Sequence, residues 1–282
     1  MAKRKIGLSI IVLIVAATTM VSGTYAWFLV GGFAELFDLG FDVIEAGGGI
    51  EIQGSAAKAY VAEGGEASST GWGAYLDRDC FNEGEIIAAD GKYAPVSSAD
   101  GSTFTKVGLE GGYFASLTPE MGKDYNELRI KIRSTTAEAV TARINVALTG
   151  NDNGHEAVNA ARISVTYAGN TTIFAVAGDS TQAVTTSEIP AATVIDSEET
   201  QGVVSLSSQS VTELTASAAD ANKYEGTLEL ANVPGNTGSE EVIVRIWIEG
   251  NDTDCTGEKL SAKHLAASIS FGSASEEETP AA

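Results

Sequence analysis

The sequence predicts an all-β protein: an antiparallel β-sandwich or jelly-roll-like domain with long loops, preceded by an N-terminal signal helix. Three observations carry this. Large apolar residues alternate with polar ones at period two in several runs beyond residue 128. Clusters of Gly, Asn, Asp and Ser separate those runs, and the composition favours Gly, Ser, Thr, Ala and Val over long stretches of helix formers.

Residues 1–26 read as a signal peptide. Lys3, Arg4 and Lys5 form a basic start, and the apolar run from Ile6 to Val21 is too short and too soon interrupted for a spanning helix. Ser22 and Gly23 break it. Thr24 and Ala26 then put small residues at the two positions a signal peptidase reads, so the mature chain is expected to begin at Trp27.

Residues 27–45 form an apolar segment with Phe28, Leu29, Val30, Phe33, Leu36, Phe37, Leu39, Phe41, Val43 and Ile44. So much apolar surface has to be covered, either by the chain's own domain or by another molecule. Phe37, Leu39, Phe41 and Val43 alternate with Asp38, Gly40, Asp42 and Ile44, a pattern that can add as a strand to an open sheet edge. Phe33, Leu36 and Phe37 also stand at helical spacing, which leaves open a packed helix, or a retained membrane anchor if cleavage fails.

The body is expected over residues 46–272. Gly47, Gly48 and Gly49 make a flexible turn, a candidate hinge, into a short alternating strand of Ile50, Glu51 and Ile52. Residues 55–114 are weakly patterned and read as loops and short strands. From Leu128 the signal strengthens: Leu128, Ile130 and Ile132 alternate with Arg129, Lys131 and Arg133, and Ile144, Val146 and Leu148 with Asn145, Ala147 and Thr149. Both runs read as antiparallel strands with one buried face. Similar runs fall at 163–167, 173–176, 203–206, 228–230, 242–248 and 265–271. Residues 273–282, with Glu276, Glu277 and Glu278, read as a disordered acidic tail.

The 256 residues that follow the signal suffice for one large β domain or two small ones. Removing the three basic residues of the signal takes the formal charge from −21 to −24, which argues against nucleic acid and anionic lipid as partners. Cys80 and Cys255 are the two cysteines. In an exported protein they are expected to form a disulfide, with two free buried thiols as the alternative.

Catalytic signatures are missing. His155 and His264 are the two histidines and neither belongs to a His-Glu-x-x-His pattern; no Gly-x-Ser-x-Gly elbow, phosphate-cradling loop or Cys-x-x-Cys pair occurs. The chain is expected to be no enzyme and to carry no cofactor, with calcium as the one ion to consider. Asn251, Asp252 and Asp254, with Glu258 beyond, group hard oxygen ligands after a strong strand. Their spacing departs from the helix-loop-helix calcium pattern, and Asn and Asp serve equally well as turn formers. Trp247, between Ile246 and Ile248, reads as a core or sheet-face residue, and Trp72 in Gly71-Trp72-Gly73 as either a loop residue or a binding platform.

The basic start, the apolar run, Gly23-Thr24-Tyr25-Ala26 followed by Trp27-Phe28, and the later Ala46-Gly47-Gly48-Gly49-Ile50-Glu51-Ile52 resemble a group of exported Gram-positive β proteins. These carry a SipW-type signal peptide and include the TasA/camelysin family of biofilm fibre subunits. The stretch Trp247-Ile248-Glu249-Gly250-Asn251-Asp252-Thr253-Asp254-Cys255 is similar to a Trp-x-Glu-Gly-x-Asp-x-x-Cys segment of clostridial members. These motifs cover the two ends of the chain, and Leu29-Val30 replace the polar residue and Asp usual after the aromatic pair. The resemblance implies a jelly-roll-like domain, cleavage by a dedicated signal peptidase and fibre assembly by donor-strand exchange. The metalloprotease activity described for camelysin has no zinc motif to match it here.

Two functions follow as expectations. The first is a secreted structural subunit of an extracellular fibre or biofilm matrix. Its partners would be further copies of itself and a companion matrix or anchoring protein, with no membrane contact after processing. The alternative is a monomeric exported surface module, calcium-stabilised, that binds a glycan or protein through Trp72 or nearby loops. A secreted hydrolase ranks below both.

Overall fold

The structure, a computed structural model, describes residues 36–37, 39–86, 92–110, 113–150, 155–176, 194–195, 200–201, 211–250, 252, 255 and 265–274. The signal peptide, the run expected at 203–206 and residues 275–282 lie outside the described residues, while the first two residues of the tail expected at 273–282 are ordered, Ser273 ending the last strand and Ala274 N–H donating to the Thr141 carbonyl at 3.1 Å.

In chain order the strands are β1 (Leu36–Phe37), β2 (Leu39–Ala46), β3 (Ile50–Gly54), β4 (Lys92–Tyr93), β5 (Lys106–Glu110), β6 (Tyr113–Leu117), β7 (Asn126–Ser134) and β8 (Val140–Gly150). There follow β9 (Ala161–Tyr167), β10 (Asn170–Val176), β11 (Val194–Ile195), β12 (Thr200–Gln201), β13 (Thr212–Ala216), β14 (Lys223–Val233), β15 (Glu240–Ile248) and β16 (Leu265–Ser273). A single-turn 3-10 helix at Arg78–Cys80 and a short helix, α1 (His155–Ala160), complete the described elements. The protein is all-β in class, as the alternation predicts.

Ten strands form one sheet in the order β2-β16-β8-β14-β13-β10-β9-β15-β7-β3. It folds over into a nearly closed, barrel-like sandwich of two five-stranded halves. The halves meet where one stretch of chain serves both. β13 pairs with β10 through Thr212, Glu213 and Leu214, then with β14 through Thr215 and Ala216. At the opposite border the chain turns from β2 into β3 through Gly47, Gly48 and Gly49. The turn needs glycine, because Gly48 and Gly49 adopt φ of 57° and 81°, where a Cβ would crowd the backbone.

Seven of the nine neighbouring pairs are antiparallel; β2 with β16 and β10 with β13 are parallel. The sequence reading expected antiparallel pairing throughout. Parallel neighbours need a long connection, and here β10 and β13 are separated by residues 177–211 while β2 and β16 come from opposite ends of the chain.

The core lies between the halves, and the alternation builds it. Leu128, Ile130 and Ile132 of β7, Ile144 and Leu148 of β8, and Val242, Val244 and Ile246 of β15 are wholly buried on that side. Each such aliphatic side chain stabilises the fold by roughly 1.5–3 kcal/mol. Gly226 of β14 leaves room where a Cβ would sit 2.7 Å from Leu214 and 2.8 Å from Phe174, so the β13 crossing can pack tightly.

The outer faces differ. On β9, β10 and β15 the outer side is overlaid by residues 94–105, which with Tyr125 bring Val96 and Phe104 onto Trp247 and Ile173 as a second, smaller apolar cluster. On β14, β8 and β16 a polar row crosses three strands: Thr227 donates to Asn145 at 2.9 Å and Asn145 to Ser270 at 3.3 Å.

Candidate functional site

The segment that the sequence marks as needing cover supplies β1 and β2. β2 lies in parallel against β16 of the same chain, from Leu39 opposite Leu265 to Ala46 opposite Phe271, with a register shift at Ala267/Ser268. Ile44 and Ala46 point into the core, 3% and 9% exposed. β1 pairs with β4, Leu36 opposite Tyr93 and Phe37 opposite Lys92. The backbones of Phe37, Leu39, Phe41 and Val43 therefore sit in ladders of their own chain. Thr24, Ala26, Trp27, Phe28 and Phe33 lie outside the described residues.

The second edge of β2 is occupied at its C-terminal end, from Ile44 to Ala46. Residues 73–76 run along the seam between β2 and β3 and bond to both. Ala46 N–H donates to the Ala74 carbonyl at 2.7 Å, and Leu76 N–H to the Ile44 carbonyl at 2.9 Å. Ile52 and Gly73 exchange two bonds, at 2.9 and 3.0 Å. This clasp bridges the two border strands at Ile44, Ala46 and Ile52, and it pairs backbone groups there that an edge would leave open.

Three features hold the clasp. Tyr60 backs it, its N–H donating to the Tyr75 carbonyl at 2.8 Å and its carbonyl accepting from Ala74 N–H at 3.0 Å. Gly73 permits that approach: a Cβ there would lie 2.1 Å from the Tyr60 carbonyl oxygen. Trp72 anchors its start, with the Arg133 guanidinium 4.1 Å from the ring centroid, a cation–π contact. Arg133 is itself fixed on β7 by Glu51 of β3, Nε to Oε2 at 2.9 Å, and by the Asn236 carbonyl at 3.1 Å. Trp72 thus has a structural partner on one face of its ring.

Tyr60 is pinned in turn. Its hydroxyl donates to Asp79 Oδ2 at 2.7 Å, and Lys58 donates to the same oxygen. The Lys58 and Tyr60 bonds hold the Asp79 carboxyl below its ordinary range, and the Asp79 bond raises the Lys58 ammonium, so both groups stay ionised.

A second cluster lies at the end of β15. Arg162 Nη2 donates to Asp252 Oδ2 at 2.6 Å with the two side chains 0% and 1% exposed. Arg162 Nη1 reaches the carbonyls of Asn159 and Ala161 at 2.6 and 2.9 Å. Glu249 Oε2 accepts from Trp247 Nε1 at 3.0 Å and from Ser98 N–H at 3.3 Å, which ties the overlying segment to the sheet. Trp247 is fully buried against Phe104, centroids 5.2 Å apart in an edge-to-face arrangement.

This cluster corrects the calcium expectation at one position. Asp252 is turned inward onto Arg162 because a buried guanidinium has to be neutralised and hydrogen-bonded, so its carboxylate is spent on an ion pair. Asn251, Asp254 and Glu258 lie outside the described residues. Among the described residues no group of three or more His, Cys, Asp or Glu side chains could hold a metal ion.

The disulfide expectation is corrected too. Cys80 and Cys255 are both free and buried. Each is held by its own turn: Cys80 N–H donates to the Asp77 carbonyl at 2.9 Å, and Cys255 N–H to the Asp252 carbonyl at 3.0 Å. Burial pushes the Cys80 thiol up to about 11 and the Cys255 thiol well above its ordinary value. Among the described residues no helix is long and apolar enough to cross a membrane.

No protein-family model matches this chain, and no curated protein matches it significantly. Among solved structures the collagen adhesin of S. aureus aligns over 80% of this chain and 81% of its own, at 12% identity and a TM-score of 0.16. At that score the likeness carries no argument about fold or function.

Sequence reading picked out Trp72 but not its partner, and Asp252 but not Arg162. The partners lie 61 and 90 residues away, and no local pattern announces either pair. Gly71-Trp72-Gly73 was the one available signal, since glycine beside a large aromatic marks a close backbone approach.

Proposed function

We propose that the chain is an exported structural subunit that polymerises by lending its N-terminal apolar strand to a neighbouring copy, and that it performs no catalysis. The observation that supports this reading is the place of β2. It is a border strand from the N-terminal end of the chain, joined to the body by the Gly47-Gly48-Gly49 turn and held in a parallel ladder by β16. Removing such a strand leaves the rest of the sheet intact and bares the β16 edge, which an identical strand from another copy can fill with the same main-chain bonds and the same pockets. Head-to-tail repetition of that contact gives a filament. Secretion through the signal peptide and deposition in an extracellular matrix complete the proposal.

The test uses the chain from residue 27 onward, imaged by electron microscopy and followed by light scattering over a concentration series. Ordered fibres are expected. Deleting residues 27–46 should abolish them while leaving a folded body, and a synthetic peptide of residues 36–46 should bind that body. A processed chain that stays single at high concentration would overturn the reading.

A further inference from the structure

The clasp does more than fill a seam. β2 is gripped from two sides, by β16 through the parallel ladder and by residues 73–76 through Ala74 and Leu76. A strand held on both edges cannot leave its sheet while both ladders are closed. The β16 ladder runs the length of β2, interrupted at the Ala267/Ser268 register shift. Among the described residues the clasp bonds to β2 at Ile44 and Ala46, and its start is held by Trp72 on Arg133 together with the Gly73–Ile52 pair.

We propose that residues 72–76 are a lock on the N-terminal strand, with Trp72 on Arg133 as its latch. While the ring is stacked, Ala74 and Leu76 keep β2 in its own sheet and the edge from Ile44 to Ala46 is closed to a second copy. When the latch lifts, the outer edges of β2 and β3 open together, because Gly73 bonds to Ile52 of β3 and its neighbours bond to β2. The strand is then held by β16 alone and can exchange. This rests on the strand-exchange reading above for its consequence, but the lock itself is a property of the single molecule.

Hydrogen exchange on the full processed chain, kept dilute and monomeric, reads the lock without any assembly. Trp72→Ala is expected to speed exchange at residues 73–76 and, with it, at residues 39–46, while Ile130, Ile144 and Val244 stay protected as in the wild type. Gly73→Ala serves as the second variant, since its Cβ would strike the Tyr60 carbonyl and force the clasp out without touching the ring. If either variant frees the clasp and residues 39–46 keep their wild-type protection, the lock is refuted. Assembly is measured separately: a shortened lag before fibres in both variants supports the lock. Fibres that form at an unchanged rate from a freed clasp refute it. If the variants loosen residues 39–46 and no chain forms fibres, the lock stands and the fibre reading falls.

Discussion

Arg162 and Asp252 form an ion pair of 2.6 Å that is sealed from solvent, on strand and turn segments 90 residues apart. Such a pair adds little net stability over a well-packed apolar alternative, yet breaking it from one side strands a charge in the interior. Asp252→Ala is therefore expected to cost about 3–5 kcal/mol. Urea denaturation of the processed chain measures this. Asp252→Asn, which keeps an acceptor, should lose less. The same loss should appear in calcium and in chelator, because the carboxylate serves Arg162. A cost below about 1 kcal/mol, the range of exposed pairs, would contradict the burial of the pair.

The two thiols give a second test. A thiol whose value is raised to about 11 is protonated at pH 8, and Cys80 and Cys255 are also closed off from reagent. Iodoacetamide should leave the native chain unmodified at that pH and add to both residues once urea unfolds it. Intact mass reads the outcome. One modification in the native state, or none after unfolding, would contradict two free buried cysteines.

These two sites show where the sequence was legible. The alternation of Leu128, Ile130 and Ile132, and of Val242, Val244 and Ile246, announces strands and their buried faces because a pleat repeats every two residues. Trp247 falls on the opposite face of β15 and is buried by the overlying segment instead. Order within the sheet is another matter. That β2 would lie beside β16, and that β13 would serve both halves, depends on long-range pairing that local pattern does not encode. Helix α1 was missed because six residues are too few to show a helical period. At the candidate site, Phe37, Leu39, Phe41 and Val43 were legible as a strand, and β2 carries three of them. Which molecule covers that strand was not, since the apolar count is the same whether the partner is β16 of this chain or of the next.

Asp100 makes acid stability testable. Burial alone would raise its carboxyl, but the backbone N–H groups of Thr103 and Ser102, donating at 2.7 Å each, bring it down to about 2 from an ordinary 3.8. A depressed carboxyl contributes stability that is full above the unfolded value and is lost as pH falls toward the folded one. Stability against urea should therefore decline between about pH 4 and pH 2 by more in the wild type than in Asp100→Ala. Because Asp100 is exposed, solvent screens much of the effect and the difference should be modest. Parallel pH profiles in the two chains would contradict the turn.

Glu249 couples the overlying segment to the sheet, and that coupling has a local signature. Its Oε2 accepts from the indole of Trp247, on the strand just before it, and from the backbone of Ser98, in the segment above. Glu249→Ala removes the acceptor and leaves two buried donors unmet, each at about 1–3 kcal/mol. Glu249→Gln keeps an acceptor oxygen and should restore most of the loss. The damage should be confined to the half of the sandwich that carries the cover. Ser97 and Thr105 exchange two backbone bonds of 2.8 Å within that cover, so their amides report it directly. In Glu249→Ala those two amides are expected to exchange faster, while Ile144 and Val146 on β8, across the core, keep their protection. Uniform acceleration through both halves would mean that Glu249 supports the whole fold, and unchanged amides at Ser97 and Thr105 would mean that the cover is held without Glu249, by the Val96 backbone bonds to Ile248 and Gly250 and by its apolar contacts.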